Sequence, residues 1–168
     1  MTQALAAIAA VVAALFELTI APYLQIGGAH LHLVFVLAVT WTVIASLEGG
    51  VIVAFAGGLA LDFLAPRPLG SSAFVLLVSV GLAALIGRLL SQLRLRYVAP
   101  IIIVAILSPM YSMLLLAVYS AISGPLAVPD PVSLVAPGIA LDAIGAAILA
   151  PIGLAIHQRA TEAERFDW

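Results

Sequence analysis

Six long apolar runs, separated only by short breaks, constrain the fold of this chain more than any other feature. Hydrophobic residues make up 65% of the 168 residues and charged residues 8%, and the mean hydropathy is +1.28. A water-soluble domain of this size could not cover its surface with so few polar groups. The sequence therefore predicts an all-α integral membrane protein, with residues 1–168 forming a single polytopic membrane domain.

The breaks between the runs contain glycine, proline or arginine, which commonly mark turns. They define six predicted spans in a compact bundle: 5–21, 31–47, 51–64, 71–90, 98–122 and 132–156. A spanning helix needs about 20 residues, so the third run is short. Residues 48–50 in front of it read as a turn, with a start of the span at Gly49 as an alternative. An alternative is a re-entrant hairpin made from the second and third runs.

The arginines predict the orientation. The chain has six basic residues, all of them arginine. With six spans, five of these arginines fall on the side of the two termini and only Arg67 falls on the other side. Because cytoplasmic loops near span ends collect positive charge, we expect both termini in the cytoplasm. The net charge of -2 and the lack of a basic stripe argue against nucleic-acid binding.

A stripe of small residues on the third predicted helix ends at an aspartate. Gly50, Ala54, Gly58 and Asp62 recur at four-residue steps and share one helix face. Small residues let a second helix come close. We interpret this face as a docking site for a partner helix, with Asp62 and Arg67 fixing the register at the outer end. An alternative is that Asp62 is neutralised by Arg67 or by the amides of a helix N-terminus.

The sixth predicted helix repeats this pattern. Its stripe consists of Gly138, Asp142, Ala146 and Ala150. Ionisable residues inside spans often have a function. A rival interpretation is therefore a small-solute transporter component, in which Asp62, Asp142 and Glu17 line an outward-facing cavity. A third interpretation is a proton or ion pathway. The scarcity of asparagine, aromatic and basic residues in the spans favours a scaffold instead.

The remaining polar residues do not form a recognisable catalytic set. His30 and His32 are two positions apart and do not converge on a metal, so we expect them, with Glu17, to be polar residues at the outer interface. Ser108 or Ser112 is expected to bond a carbonyl group freed at the kink that Pro100 and Pro109 introduce. No nucleophile with a base and no phosphate-binding loop can be assembled. We expect no enzymatic activity, no cofactor and no metal.

Residues 33–90 resemble the MreD family of rod-shape-determining proteins. Members tend to carry a G-x-x-x-D pattern followed within a few residues by P-L-G. The matching positions are Asp62, Pro68, Leu69 and Gly70. The last helix is also similar, since such chains often have a polar residue followed by an Ala-Pro step; here these are Asp142 and Pro151.

The resemblance implies both a fold and a set of partners. The fold would be a six-helix bundle like the substrate-binding components of energy-coupling-factor vitamin transporters. The function would be a non-enzymatic scaffold for cell elongation and peptidoglycan synthesis in the bacterial cytoplasmic (inner) membrane. Its partners would be membrane lipid, the single-span protein MreC and, through it or directly, MreB and RodA with a class B penicillin-binding protein. The alternative function is a vitamin-type transporter component.

Overall fold

The computed structural model is all-helical, and it describes residues 2–20, 23, 25, 28–65, 68–90, 98–124 and 131–165. Within these residues six helices follow one another: α1 (Thr2–Thr19), α2 (Leu33–Ile44), α3 (Leu47–Leu64), α4 (Ser71–Leu90), α5 (Ala99–Ser123) and α6 (Pro131–Arg165). The prediction of six helices is confirmed. In the described part of the chain, α3 to α6 are long and apolar enough to cross a membrane, and α1 and α2 are shorter apolar helices.

The short central helix is α2, so the prediction that the third span is the short one is wrong. Helix α3 begins at Leu47 and has 18 residues, whereas α2 has only 12. Ser46 has an extended backbone, and its side chain accepts a hydrogen bond from the Gly49 N–H at 3.1 Å. This is an N-cap, the usual start of a helix. Residues 48–50 therefore form the first turn of α3.

Helix α2 lies at the centre of the bundle. It contacts each of the other five helices, and seven of its 12 residues are buried. Phe35 on α2 stacks on Tyr111 of α5, with ring centroids 4.6 Å apart. The apolar core is thus built around α2, the shortest of the six helices in the described residues.

The N-terminus of α2 lies inside the apolar part of the bundle. The backbone N–H of His32, just before α2, bonds Asp142 of α6. Asp142 lies seven residues beyond Val135, where the apolar stretch of α6 begins, or about 10 Å along the helix axis. With 12 residues, α2 rises about 18 Å, well short of a hydrocarbon core of about 30 Å. Its first amides therefore need partners from the protein.

Candidate functional site

Asp62, near the end of α3, binds the start of α4. Its Oδ2 accepts a hydrogen bond from the Gly70 N–H at 2.9 Å, and its Oδ1 accepts one from the Ser72 N–H at 3.0 Å. The Ser71 Oγ lies 3.3 Å from Oδ1. The first N–H groups of a helix have no partner within that helix and carry its positive dipole end. The buried carboxylate of Asp62 accepts hydrogen bonds from these N–H groups and lies at the positive end of the helix dipole.

The motif residues Pro68, Leu69 and Gly70 form the turn that delivers these amides. The Ser71 N–H donates to the Pro68 carbonyl at 3.2 Å, and Gly70 has a φ of +89°. This pattern is a type II turn, whose third residue needs a positive φ and is usually glycine. Asp62 and Pro68-Leu69-Gly70 are therefore one structural unit. Of the two sequence interpretations of Asp62, neutralisation by helix amides matches these contacts; Arg67 lies outside the described residues.

Two more buried acids meet at the start of α2. Glu17, on α1, accepts a hydrogen bond from the Val34 N–H at 2.8 Å. Asp142, on α6, accepts one from the His32 N–H at 2.9 Å. The N-cap residue His32 makes no side-chain capping bond to α2. Carboxylates from the first and last helices thus complete this helix N-terminus.

The second oxygen of Asp142 joins α5 to the same cluster. Asp142 Oδ2 accepts a hydrogen bond from Ser108 Oγ at 2.6 Å and lies 3.1 Å from His32 Nδ1. Asp142 is fully buried, and the His32 side chain is 12% exposed. Of the two serines expected to bond a carbonyl freed at the kink, Ser108 instead directs its hydroxyl to Asp142, and the role of Ser112 stays a prediction. Glu17 is also buried, against the start of α2, and its depth near the outer interface stays a prediction.

The small-residue stripe of α3 packs against the chain's own helices. A Cβ on Gly50 would collide with the side chain of Thr42 on α2, and a Cβ on Gly58 would lie 2.7 Å from the backbone nitrogen of Ala73 on α4. Ala54, between these two glycines, is completely buried. This face was expected to dock a partner helix. In the structure α2 and α4 already cover it, and close packing within the chain accounts for the small residues.

The stripe of α6 faces the segment before α2 and α2 itself. A Cβ on Gly138 would lie 3.8 Å from Ala29, and Asp142, Ala146 and Ala150 are buried. Pro151 is exposed within α6. Its place with Asp142 in the family-like sequence motif stays a prediction.

Glu17, Asp62 and Asp142 do not line the large cleft of the bundle. That cleft, of about 530 Å³, lies where α2 turns into α3, and Glu48 is its acidic residue. Within the described residues, no group of three or more histidine, aspartate or glutamate side chains is arranged to hold a metal ion. Glu17, Asp62 and Asp142 hold helix N-termini in place.

This architecture defines a class of polytopic membrane protein in which intramembrane carboxylates hold the protein's own helices. The model of the family "rod shape-determining protein MreD" matches residues 1–156, and the chain belongs to the MreD family. Membership indicates a multi-pass membrane protein that takes part, with the shape-determining machinery, in setting rod shape. No curated protein and no solved structure matches the chain.

Proposed function

We propose that this protein is a non-enzymatic scaffold of the bacterial cell-elongation machinery, which makes peptidoglycan. In this proposal it lies in the cytoplasmic membrane as a single domain with both termini in the cytoplasm. It binds the single-span protein MreC through outer faces of its transmembrane helices. MreB, and RodA with a class B penicillin-binding protein, join through MreC or directly.

The hydrogen bonds of the three buried acids, Glu17, Asp62 and Asp142, support this proposal. A solute-binding site needs a cavity with convergent polar groups that are available to the ligand. Glu17, Asp62 and Asp142 instead accept hydrogen bonds from backbone N–H groups of α2, of α4 and of the segments just before them. These contacts fix the helices relative to one another. Because these three acids are already occupied, they are better suited to hold the helices for a partner than to bind a solute.

The exposed face of α3 is the surface we propose for MreC. It carries Val51, Phe55, Leu59 and Phe63 at four-residue steps, and Phe63 is 82% exposed. Leu69, in the turn that Asp62 holds, is 72% exposed. Aromatic residues are enriched in protein interfaces.

The originally predicted residues then act indirectly. Gly50, Ala54 and Gly58 seat α3 in the bundle, and Asp62 fixes the turn beside its outer end. Arg67 belongs to the same turn in sequence, and its contact with a partner stays a prediction. The similarity of the bundle to energy-coupling-factor substrate-binding components also stays a prediction.

Site-specific photocrosslinking in cells tests the proposed surface. A photoreactive amino acid replaces Phe63 or Phe55 in turn, and the matched control replaces Ile148, which is 58% exposed on α6. We expect adducts with MreC from the two α3 positions and much weaker adducts from position 148. Equal adducts from all three positions would contradict the proposed face. Solute uptake by the purified protein in liposomes would contradict the scaffold function itself.

A further inference from the structure

A cleft opens at the end of the bundle where α2 turns into α3. It has a volume of about 530 Å³ and is lined by residues of α1, α2, α3 and α6. This volume falls within the usual range for small-molecule sites, roughly 300 to 1,000 Å³. We propose that the cleft holds one acyl chain of a glycerophospholipid with an amine headgroup, of the phosphatidylethanolamine type, whose headgroup lies at the opening of the cleft.

The walls of the cleft suit an acyl chain. Most of its lining surface is apolar, with side chains from all four helices that include Leu5, Leu37, Val53 and Ile156. Ala6 and Ala9 leave room on the α1 side. Burying a hydrocarbon chain here removes apolar surface from contact with polar headgroups and water.

The rim of the cleft lies at headgroup level. His157, on the rim, is two residues before Arg159, where the apolar stretch of α6 ends. Trp41 is also on the rim, and tryptophan is enriched at membrane interfaces. An acyl chain held by the walls would therefore place its headgroup among the polar residues of the rim.

Glu48 gives the rim its preference for an amine. It is exposed, and it lies in the first turn of α3, where the helix dipole favours negative charge. Its carboxylate complements the ammonium group of an ethanolamine headgroup. Gln3, which is exposed and lines the cleft, supplies a donor for the phosphate. This inference is independent of the proposed scaffold function.

Native mass spectrometry of the full-length protein tests the site. The protein is reconstituted in vesicles of equal phosphatidylethanolamine and phosphatidylglycerol, extracted in mild detergent, and the retained lipids are counted and identified. Two variants alter the cleft: Ala9→Trp fills it, and Glu48→Gln removes its charge. The matched control is Ala117→Trp, at an exposed alanine of α5 outside the cleft.

We expect the wild type to retain one lipid, with the ethanolamine lipid favoured roughly threefold, as an exposed charge pair would give. Glu48→Gln should bring the ratio close to one. Ala9→Trp should abolish retention, and Ala117→Trp should leave it unchanged. Equal retention by all variants would identify ordinary surrounding lipid and overturn the proposal. Equal retention of both lipids by the wild type, or a co-purified peptide in the cleft, would overturn the amine-lipid assignment.

Discussion

Helices α2 and α4 both begin against buried carboxylates, yet the two starts draw those carboxylates from very different distances along the chain. Asp62 reaches Gly70 across eight residues, within a single helix-turn-helix unit. Asp142 reaches His32 across 110 residues, and Glu17 reaches Val34 across 17. The start of α4 is therefore a local structure, whereas the start of α2 depends on the assembled bundle.

This difference indicates at which of the two helix starts the loss of a carboxylate should lower the stability of the protein more. The cluster at α2 includes Asp142, which is fully buried, and lies about 10 Å inside the apolar part of α6. The unit at α4 is next to a turn in which Leu69 is largely exposed. A buried donor such as the Ser108 hydroxyl has no water to replace a lost acceptor, whereas the part-buried Gly70 N–H beside the turn does.

The largest effect is expected from Asp142→Ala. The variant leaves the part-buried His32 N–H and the buried Ser108 hydroxyl without this acceptor, so the free energy of unfolding should fall by about 2–4 kcal/mol. Unfolding of the purified protein by SDS in mixed micelles measures the loss. Asp142→Asn keeps one carbonyl acceptor and should lose less. If Asp142→Ala were as stable as the wild type, the start of α2 would not depend on this carboxylate.

Gly58→Ala tests the close approach that lets Asp62 reach α4. The new Cβ would lie 2.7 Å from the Ala73 backbone nitrogen, so overpacking should destabilise the protein by about 1–3 kcal/mol. The matched control is Gly81→Ala in α4, which has nothing within 4 Å and should be neutral or slightly stabilising through helix propensity. If the same SDS titration gave equal stabilities, α4 would not need this contact.

Asp62→Ala sharpens the comparison by acting locally. Loss of an N-cap acceptor should reduce stability by about 1–2 kcal/mol. Hydrogen exchange should become faster at residues 70–74, which cover the end of the turn and the first residues of α4, and stay unchanged at the start of α2. Asp62→Asn, which retains an acceptor, should show a smaller increase. Faster exchange at both helix starts would mean that the two regions are coupled rather than separate.

The smallest effect is expected from Gly70→Ala. Nothing lies within 4 Å of the added Cβ, so only the φ of +89° is unfavourable, at about 1 kcal/mol. Gly70→Asn should lose less stability, because asparagine adopts positive φ more readily than alanine. Thermal melting in detergent can rank the two variants. A larger loss for asparagine would show that the turn is limited by space rather than by backbone conformation.

The sequence predicted what a single segment determines. Six helices follow from apolar runs, and the amide interpretation of Asp62 follows from the need of a buried acid for donors. The start of α3 was missed because two glycines after Glu48 resemble a turn, although Ser46 is a common N-cap residue three positions before Gly49.

The sequence could not predict what joins distant segments. A stripe of small residues indicates that a helix comes close, but not whether that helix belongs to the same chain, so Gly58 was assigned to a partner instead of to Ala73. Asp142 and Ser108 are 34 residues apart on different helices, and no spacing within either helix identifies the other. Composition likewise gave no sign that α2 would be the short, central helix.

The placement of Asp142 also bears on how the protein is made. The second helix is too short to be stable alone in lipid, and its start stays without one of its carboxylates until α6 has left the ribosome. During synthesis the start of α2 therefore stays without the Asp142 carboxylate until the last helix has been made. A chain truncated just before residue 142 would lack the Asp142 carboxylate. It could therefore not complete the N-terminus of α2 at the centre of the bundle.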